Sequence, residues 1–401
     1  SLTAELQTRG TRQQRAPAQA AAAEALGGTL VSAAGWNRST VSITVTTPRL
    51  DAALALVAEA AIRPAFARAE LDRLRSETLD AMKVGYTQPG TVAALAANRM
   101  LFGDGAYGHP VAGTPLSLPG ISVRQVEQLH RLVYRPDNAV LVLTGDVDLA
   151  QGKQLASEHF GRWKAPAAKL PAARSTAGAP AAMPLQFVKM GDTGQAGVVM
   201  VLPVPAAASA DEAAGQVTNA VLGGGYSSRL SQEIRVERGL SYDASSNFDA
   251  RPQVGVLDLA VQTKNASAAE VVSLLNSTLD GLSNAAVPDA ELAARKAALI
   301  GGFSRSVETT QGLTAQITKL LVEGQPVALL TTRIESWSAV GADAVQAYAK
   351  AHFGAANRHT AVAGSLAQFA PGFAALHKPG DAAPLTLDPA ALEQPPQAAP
   401  K

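Results

Sequence analysis

Six histidines, at 109, 130, 159, 352, 359 and 377, and no cysteine bound the metal and nucleophile chemistry open to this chain. No histidine has a second one four residues away, the spacing that sets two ligands on one helix face. Glu158-His159 would close an HxxEH motif, but Leu155 stands where the first histidine belongs, so His159 reads as a helix-end residue. The lack of cysteine excludes disulfides, thiolate metal sites, iron–sulfur clusters and Cys nucleophiles. No Gly-Lys-Ser/Thr phosphate loop and no GxSxG nucleophile elbow occurs. Gly223-Gly224-Gly225 lacks the later glycine and the lysine that would cradle a phosphate.

The segment that stands out is 222–248, LGGGYSSRLSQEIRVERGLSYDASSNF. Three glycines lead into a helical stretch in which Leu230 and Ile234 are four apart. Arg235 and Tyr242 lie seven apart, with Gly239 between them as the helix stop. A helix-end Arg and a Tyr at the start of the next strand can converge on one spot, and both donate hydrogen bonds to a peptide carbonyl. On the residues alone a second reading stays open, in which Arg235 forms a surface ion pair and Tyr242 is a half-buried core aromatic.

The elements that must position these residues follow from the rest of the chain. With 401 residues, and roughly 100–200 residues per domain, two to four domains fit. Apolar residues make up 47% and aromatics only 4%, so the cores are built from small and aliphatic side chains. The net charge is +1 with no run of one sign; Arg9, Arg12 and Arg15 read as a solvated face. Neither a nucleic-acid surface nor an acidic-lipid surface is expected. No apolar stretch reaches the roughly 20 residues that span a bilayer.

Residues 41–46 (VSITVT) and 255–263 (GVLDLAVQT) carry strand patterns, while 50–61, 69–82 and 268–282 carry helical spacing. An Ala/Pro-rich stretch at 166–183 reads as a linker and 379–401 as a tail without packed structure. The halves on either side of the linker resemble each other. Ala69-Glu70-Leu71 recurs as Ala290-Glu291-Leu292 (290 − 69 = 221), and Asn138 and Gly145 recur as Asn357 and Gly364 (offset 219 each). Val126 and Tyr134 map to Val345 and Phe353 at that offset, and alternating runs follow at 139–144 and 359–363. A shared offset argues for a duplicated domain; a pattern common to any two α/β segments is the alternative. The expected fold class is α+β: two duplicated domains, 1–165 and 184–378, each a mostly antiparallel sheet with helices packed on one face.

Segment 222–248 resembles the insulinase/pitrilysin family of zinc peptidases, through Gly223–Gly225, Ser228-Arg229-Leu230, Arg235, Gly239-Leu240 and Tyr242. Glu24-Ala25-Leu26-Gly27-Gly28 with the 41–46 run, and 101–146 with its YGHPVAGTP and YRPDNAVLVLTGD stretches, are similar to further family motifs in the same order. The resemblance runs to about residue 375 and includes the internal duplication. Active members carry an HxxEH helix just before Gly-Thr. Counted back from Gly10-Thr11, its positions fall on Ser1, Ala4 and Glu5, and the third ligand, a Glu, falls near Ala81. Every ligand position and the general base are substituted, and the nearby Glu77 and Asp80 do not replace two imidazoles. A catalytic zinc needs about three protein ligands and a water.

The resemblance therefore implies a chain with no catalytic residues and no metal of its own, inactive alone. It would act as the non-catalytic subunit of a heterodimeric zinc metallopeptidase whose homologous partner binds the zinc. Arg235 and Tyr242 would contact the peptide substrate there, beside the Gly223–Gly225 turn. A scaffold subunit without peptidase role, like the core proteins of respiratory complexes, is the alternative. The resemblance also places Ser1 inside the family's first helix, which implies a truncated or processed start, and favours the periplasm over the cytoplasm.

Overall fold

The computed structural model describes residues 1–171, 184–374 and 383–394. Residues 172–183 of the expected linker, and 375–382 and 395–401 around the expected tail, lie outside the described residues, and so does His377.

The first half runs α1 (Leu2–Glu5), α2 (Ala16–Ala25), β1 (Val31–Ala34), β2 (Ser39–Ser42), α3 (Leu50–Ile62), α4 (Arg68–Gly85), α5 (Pro89–Phe102), α6 (Val123–Val133) and α7 (Leu149–Phe160). The second runs β3 (Leu185–Met190), β4 (Gln195–Val204), α8 (Glu212–Leu222), a π-helix (Ser231–Glu237), β5 (Ala244–Asp249), β6 (Gly255–Lys264) and α9 (Ala268–Asn284). It continues through α10 (Asp289–Val307), α11 (Thr310–Val322), α12 (Leu329–Ser338), α13 (Ala342–His352), β7 (His359–Ser365), α14 (Leu366–Phe373), β8 (Leu385–Leu387) and α15 (Ala390–Glu393).

The duplication is visible in the element starts: α4 and α10 begin 221 residues apart (289 − 68), α5 and α11 221 apart (310 − 89), and α6 and α13 219 apart (342 − 123). The two compact units nevertheless do not follow chain order. One comprises Ser1–Met82, Val111–Ala173 and Val307–Thr318; the other comprises Lys83–Pro110, Arg174–Ser306 and Lys319–Lys401. Each half thus gives the start of an equivalent stretch, α5 or α11, to the opposite unit.

In the first unit, Leu2, Leu6, Phe66, Leu71, Leu74, Leu118 and Val126 form one core. Two of its helices, α6 and α7, are started by side-chain caps. Ser122 and Gln125 satisfy each other's backbone N–H at the head of α6, and Asp148 accepts from Gln151 N at 2.8 Å at the head of α7. Strand β2 pairs antiparallel with β1 and stops at Ser42, short of the 41–46 run. The 139–144 run forms no strand either, and Val140 is 69% exposed.

The reason lies in the partners such a strand needs. Its repeat in the second unit, β7, is sandwiched between β4 (antiparallel) and β3 (parallel). In the first unit the 139–144 run pairs with no strand among the described residues. Instead Thr144 Oγ1 donates to the Thr310 carbonyl at 3.0 Å.

The second unit is built on a six-stranded sheet in the order β5-β6-β4-β7-β3-β8. Its first three neighbouring pairs are antiparallel and its last two parallel. Strand β4 is buried along nearly its whole length, which requires cover on both faces. One face carries α5, whose Val92, Ala93, Ala96, Ala97 and Met100 pack on Val188, Val199, Val201, Ala361 and Ala363. The small side chains let the helix come close: a Cβ on Gly197 would lie 2.5 Å from the backbone of Pro89 and Gly90. The first half thus supplies cover for the sheet face opposite the helices of the second. Within the expected tail, β8 pairs with β3 and Leu392 is buried, because Leu387 and Leu392 join the apolar core shared by the sheet and α5.

Candidate functional site

The glycine-rich turn is shaped by a close backbone approach. Gly223 caps α8, its carbonyl accepts from Ser246 N in β5 at 3.1 Å, and Ser246 Oγ donates to Asn219 Oδ1 at 2.7 Å. A Cβ on Gly223 would lie 2.3 Å from Ser246 N, and one on Gly224 2.8 Å from Ala220 Cα. These two glycines are therefore steric requirements of the turn.

After the turn Ser228, Leu230, Ser231 and Ile234 are buried, and the chain winds as a π-helix from Ser231 to Glu237. Such helices are rare and frequently mark functional sites. Gly239, at φ +62°, ends it as expected from the sequence. The chain is then stitched to β6. Leu240 N donates to the Ile234 carbonyl at 2.9 Å, Thr263 Oγ1 to the Leu240 carbonyl at 2.7 Å and Ser241 Oγ to the Gln262 carbonyl at 2.7 Å.

On this fixed backbone Tyr242 points outward, 89% exposed, with no hydrogen bond among the described residues. Arg235 is exposed too and joins no ion pair among the described residues. Its neighbours behave differently. Arg229 makes a two-point contact with Glu291 at 2.8 and 3.0 Å, and Arg238 pairs with Glu233 at 2.8 Å and Glu270 at 3.2 Å. The guanidinium of Arg235 lies instead over the ring of Tyr226, 4.9 Å from its centroid. The reading that makes Arg235 a surface ion pair and Tyr242 a half-buried aromatic is thus ruled out. No hydrogen bond or ring contact joins Arg235 to Tyr242 themselves; what the fold brings together is Arg235 and Tyr226. The sequence reading missed Tyr226. The signal for it was an aromatic directly after three glycines.

One residue past Tyr242, a cavity of about 430 Å3 opens between α5 and strands β5 and β6, lined by Asn98, Asp243, Asn247, Asp249, Arg251 and Asp258. Burial pushes the Asp258 carboxyl up from its ordinary range, against the bond it accepts from Asn247 Nδ2 at 3.1 Å; Asp249 adds to the rise and Arg251 opposes it.

The positions matched to a zinc site do not fit the ion. The side chains of Ala4 and Ala81 carry no donor atom, and Ala4 is packed in the core. Glu77 is tied to Arg9 at 2.8 Å, a bond that holds its carboxyl below the ordinary range. Among the described residues the one His/Asp/Glu group with ligand atoms near enough for a metal is Asp51, Glu158 and His159. There His159 Nε2 is 2.8 Å from Asp51 Oδ1 and joins the end of α7 to the start of α3. His130 is a core residue: its Nε2 bonds the Ala61 carbonyl at 2.8 Å, its ring stacks on Tyr134, and burial lowers its pKa.

Residues 120–299, which include the turn, Arg235 and Tyr242, match the family model of the peptidase M16 inactive domain. Over that stretch, just under half of its length, the chain is similar to the M16 peptidase family. It is 27% identical over 289 residues to an uncharacterized zinc protease of Mycobacterium leprae, a match covering 72% of this chain and 65% of that protein. The chain thus spans less than two thirds of that relative's length. The fold of an M16 inactive domain from Pseudomonas fluorescens superposes with a TM-score of 0.83 at 22% identity, covering 90% of this chain and 87% of that one. A protease from Helicobacter pylori superposes at 0.82 with 18% identity, covering 90% and 88%. The mixed α+β fold expected from the sequence is the M16 fold. No helix among the described residues is long and apolar enough to cross a membrane.

Proposed function

We propose that this chain is the non-catalytic subunit of a two-chain zinc metallopeptidase, and that Arg235 and Tyr242 hold the carbonyl of a peptide bound at a zinc-bearing homologous partner. The observation that carries the reading is the state of these two side chains: both exposed, both able to donate, and neither engaged by a hydrogen bond or ion pair among the described residues. The neighbouring Arg229 and Arg238 are committed to carboxylates, so an uncommitted guanidinium here is an exception within its own segment.

The local structure fits the role. A donor that stabilises developing negative charge must be held in place before the charge appears. Thr263 Oγ1 on the Leu240 carbonyl and Ser241 Oγ on the Asp243 carbonyl fix the backbone on either side of Tyr242 while its phenol stays free, and Gly239 and Ile234 fix the end of the π-helix that carries Arg235. The cavity beside Tyr242 offers space for a substrate side chain. Zinc is assigned to the partner, because Ala4 and Ala81 offer no ligand atom. The proposed compartment is the periplasm, on the family resemblance alone.

The test uses a zinc-bearing M16 chain from the same cell, mixed with this one and assayed on a quenched fluorescent peptide. Arg235→Ala or Tyr242→Phe should leave assembly intact and lower turnover of the mixture by about 100- to 1,000-fold. Wild-type turnover by both variants would sink the assignment.

A further inference from the structure

Tyr226 packs into no core: it is 63% exposed, and among the described residues the one ring contact it makes is with the Arg235 guanidinium, 4.9 Å from its centroid. That distance is inside the roughly 6 Å range over which an aromatic face attracts a cation. A large exposed aromatic on the surface is ordinary; one whose face is covered by an otherwise unpaired cation is a contact with a defined geometry.

The ring sits on a firm base. Gly223 and Gly224 are packed against Ser246 and Ala220 too closely for any side chain, and the Tyr226 carbonyl accepts from Gln232 Nε2 at 3.0 Å, which ties the turn to the first turn of the π-helix. The platform under Arg235 is thus built by two of the three glycines that mark this segment in the sequence, Gly223 and Gly224. A free arginine side chain loses much rotamer freedom when it is fixed on a ligand, and a contact that orders it beforehand removes part of that loss.

We propose that Tyr226 is a positioning residue of this site, holding the Arg235 guanidinium in the orientation in which it meets the substrate carbonyl. The inference rests on the role given above to Arg235. It adds that the glycine-rich turn contributes a side chain as well as a backbone shape. Because Tyr226 acts through Arg235, its loss shows where Arg235 matters, in the turnover step, and not in the strength of peptide capture.

The experiment uses the full chain mixed with the zinc-bearing M16 chain from the same cell and a quenched fluorescent peptide, with Tyr226→Phe, Tyr226→Leu, Arg235→Ala and the Tyr226→Leu/Arg235→Ala double variant. Phenylalanine keeps the aromatic face and should keep wild-type kcat. Leucine should lower kcat about two- to fivefold, the strength of an exposed cation–ring contact, with KM and the melting temperature unchanged. The double variant should be no slower than Arg235→Ala alone. If Arg235→Ala is slow but Tyr226→Leu is not, the positioning role is wrong and the reading of Arg235 stands. Additive losses in the double variant would make Tyr226 act on its own and overturn the inference. Normal turnover by Arg235→Ala, or a silent wild-type mixture, overturns both.

Discussion

Replacing Gly223 by alanine isolates the steric requirement on which the site is built. Its backbone, at φ −150° and ψ 13°, lies outside the main regions an alanine favours, so some backbone strain accompanies the substitution. The larger cost comes from space. The new Cβ would lie 2.3 Å from Ser246 N, 2.4 Å from Ser246 Oγ and 2.8 Å from Ser246 Cβ, and real Cβ contacts almost never fall under 3.0 Å. The turn and β5 must separate by at least 0.7 Å (3.0 − 2.3). That movement lengthens the Ser246 N to Gly223 carbonyl bond, now 3.1 Å, and disturbs the Ser246 Oγ to Asn219 bond, now 2.7 Å. Overpacking of this kind costs about 1–3 kcal/mol, and two weakened hydrogen bonds bring the total to about 2–4 kcal/mol. The assay is urea denaturation followed by circular dichroism, with Gly354→Ala as the control, since a Cβ there meets nothing within 4 Å. The control should stay within about 0.5 kcal/mol of wild type or gain slightly. A Gly223→Ala chain as stable as the control would refute the packing argument for the turn.

Two further outcomes follow from single side chains of the second unit. Burial raises the Asp258 carboxyl above its unfolded value, so ionising it in the folded chain costs stability once the pH passes the ordinary carboxylate range; Asp258→Asn should therefore melt higher than wild type at pH 7, and the gap should close as the pH falls through that range. The buried Arg358 donates to the Phe353 carbonyl at 2.9 and 2.7 Å, to Asn276 Oδ1 at 2.8 Å and to Asp280 at 2.5 Å, so Arg358→Ala should cost about 2–4 kcal/mol in urea denaturation.

Local periodicity made the individual elements legible. Helices α3, α4 and α9 and strand β6 fall within three residues of the stretches expected from their spacing, because each has one face that must be buried. The repeat offset was legible for the same reason: α4 and α10 keep it to the residue. Pairing was not. The 139–144 run alternates as a strand should, yet a strand exists only with partners for its backbone, and among the described residues it pairs with none. Nor was the destination of α5. Its Ala- and Val-rich surface states that it must be covered, and nothing in it states by which sheet; the glycine at 197 that admits it lies over 90 residues away.

At the candidate site, residue types were enough to single out Arg235, Tyr242 and the three glycines, since unusual composition at fixed spacing survives without coordinates. The choice between their two readings needed burial and partners. Arg229, Arg235 and Arg238 look alike in the sequence, and only the fold separates the two that meet carboxylates from the one that meets a ring. Tyr226 escaped because its role is defined entirely by that contact across the turn.

The most direct test of the subunit assignment is peptide cleavage by this chain alone, by a zinc-bearing M16 chain from the same cell alone, and by the two together. The account predicts that this chain alone is silent at any zinc concentration and that full activity, abolished by a chelator, appears only in the mixture. Chelator-sensitive cleavage by this chain alone would contradict it.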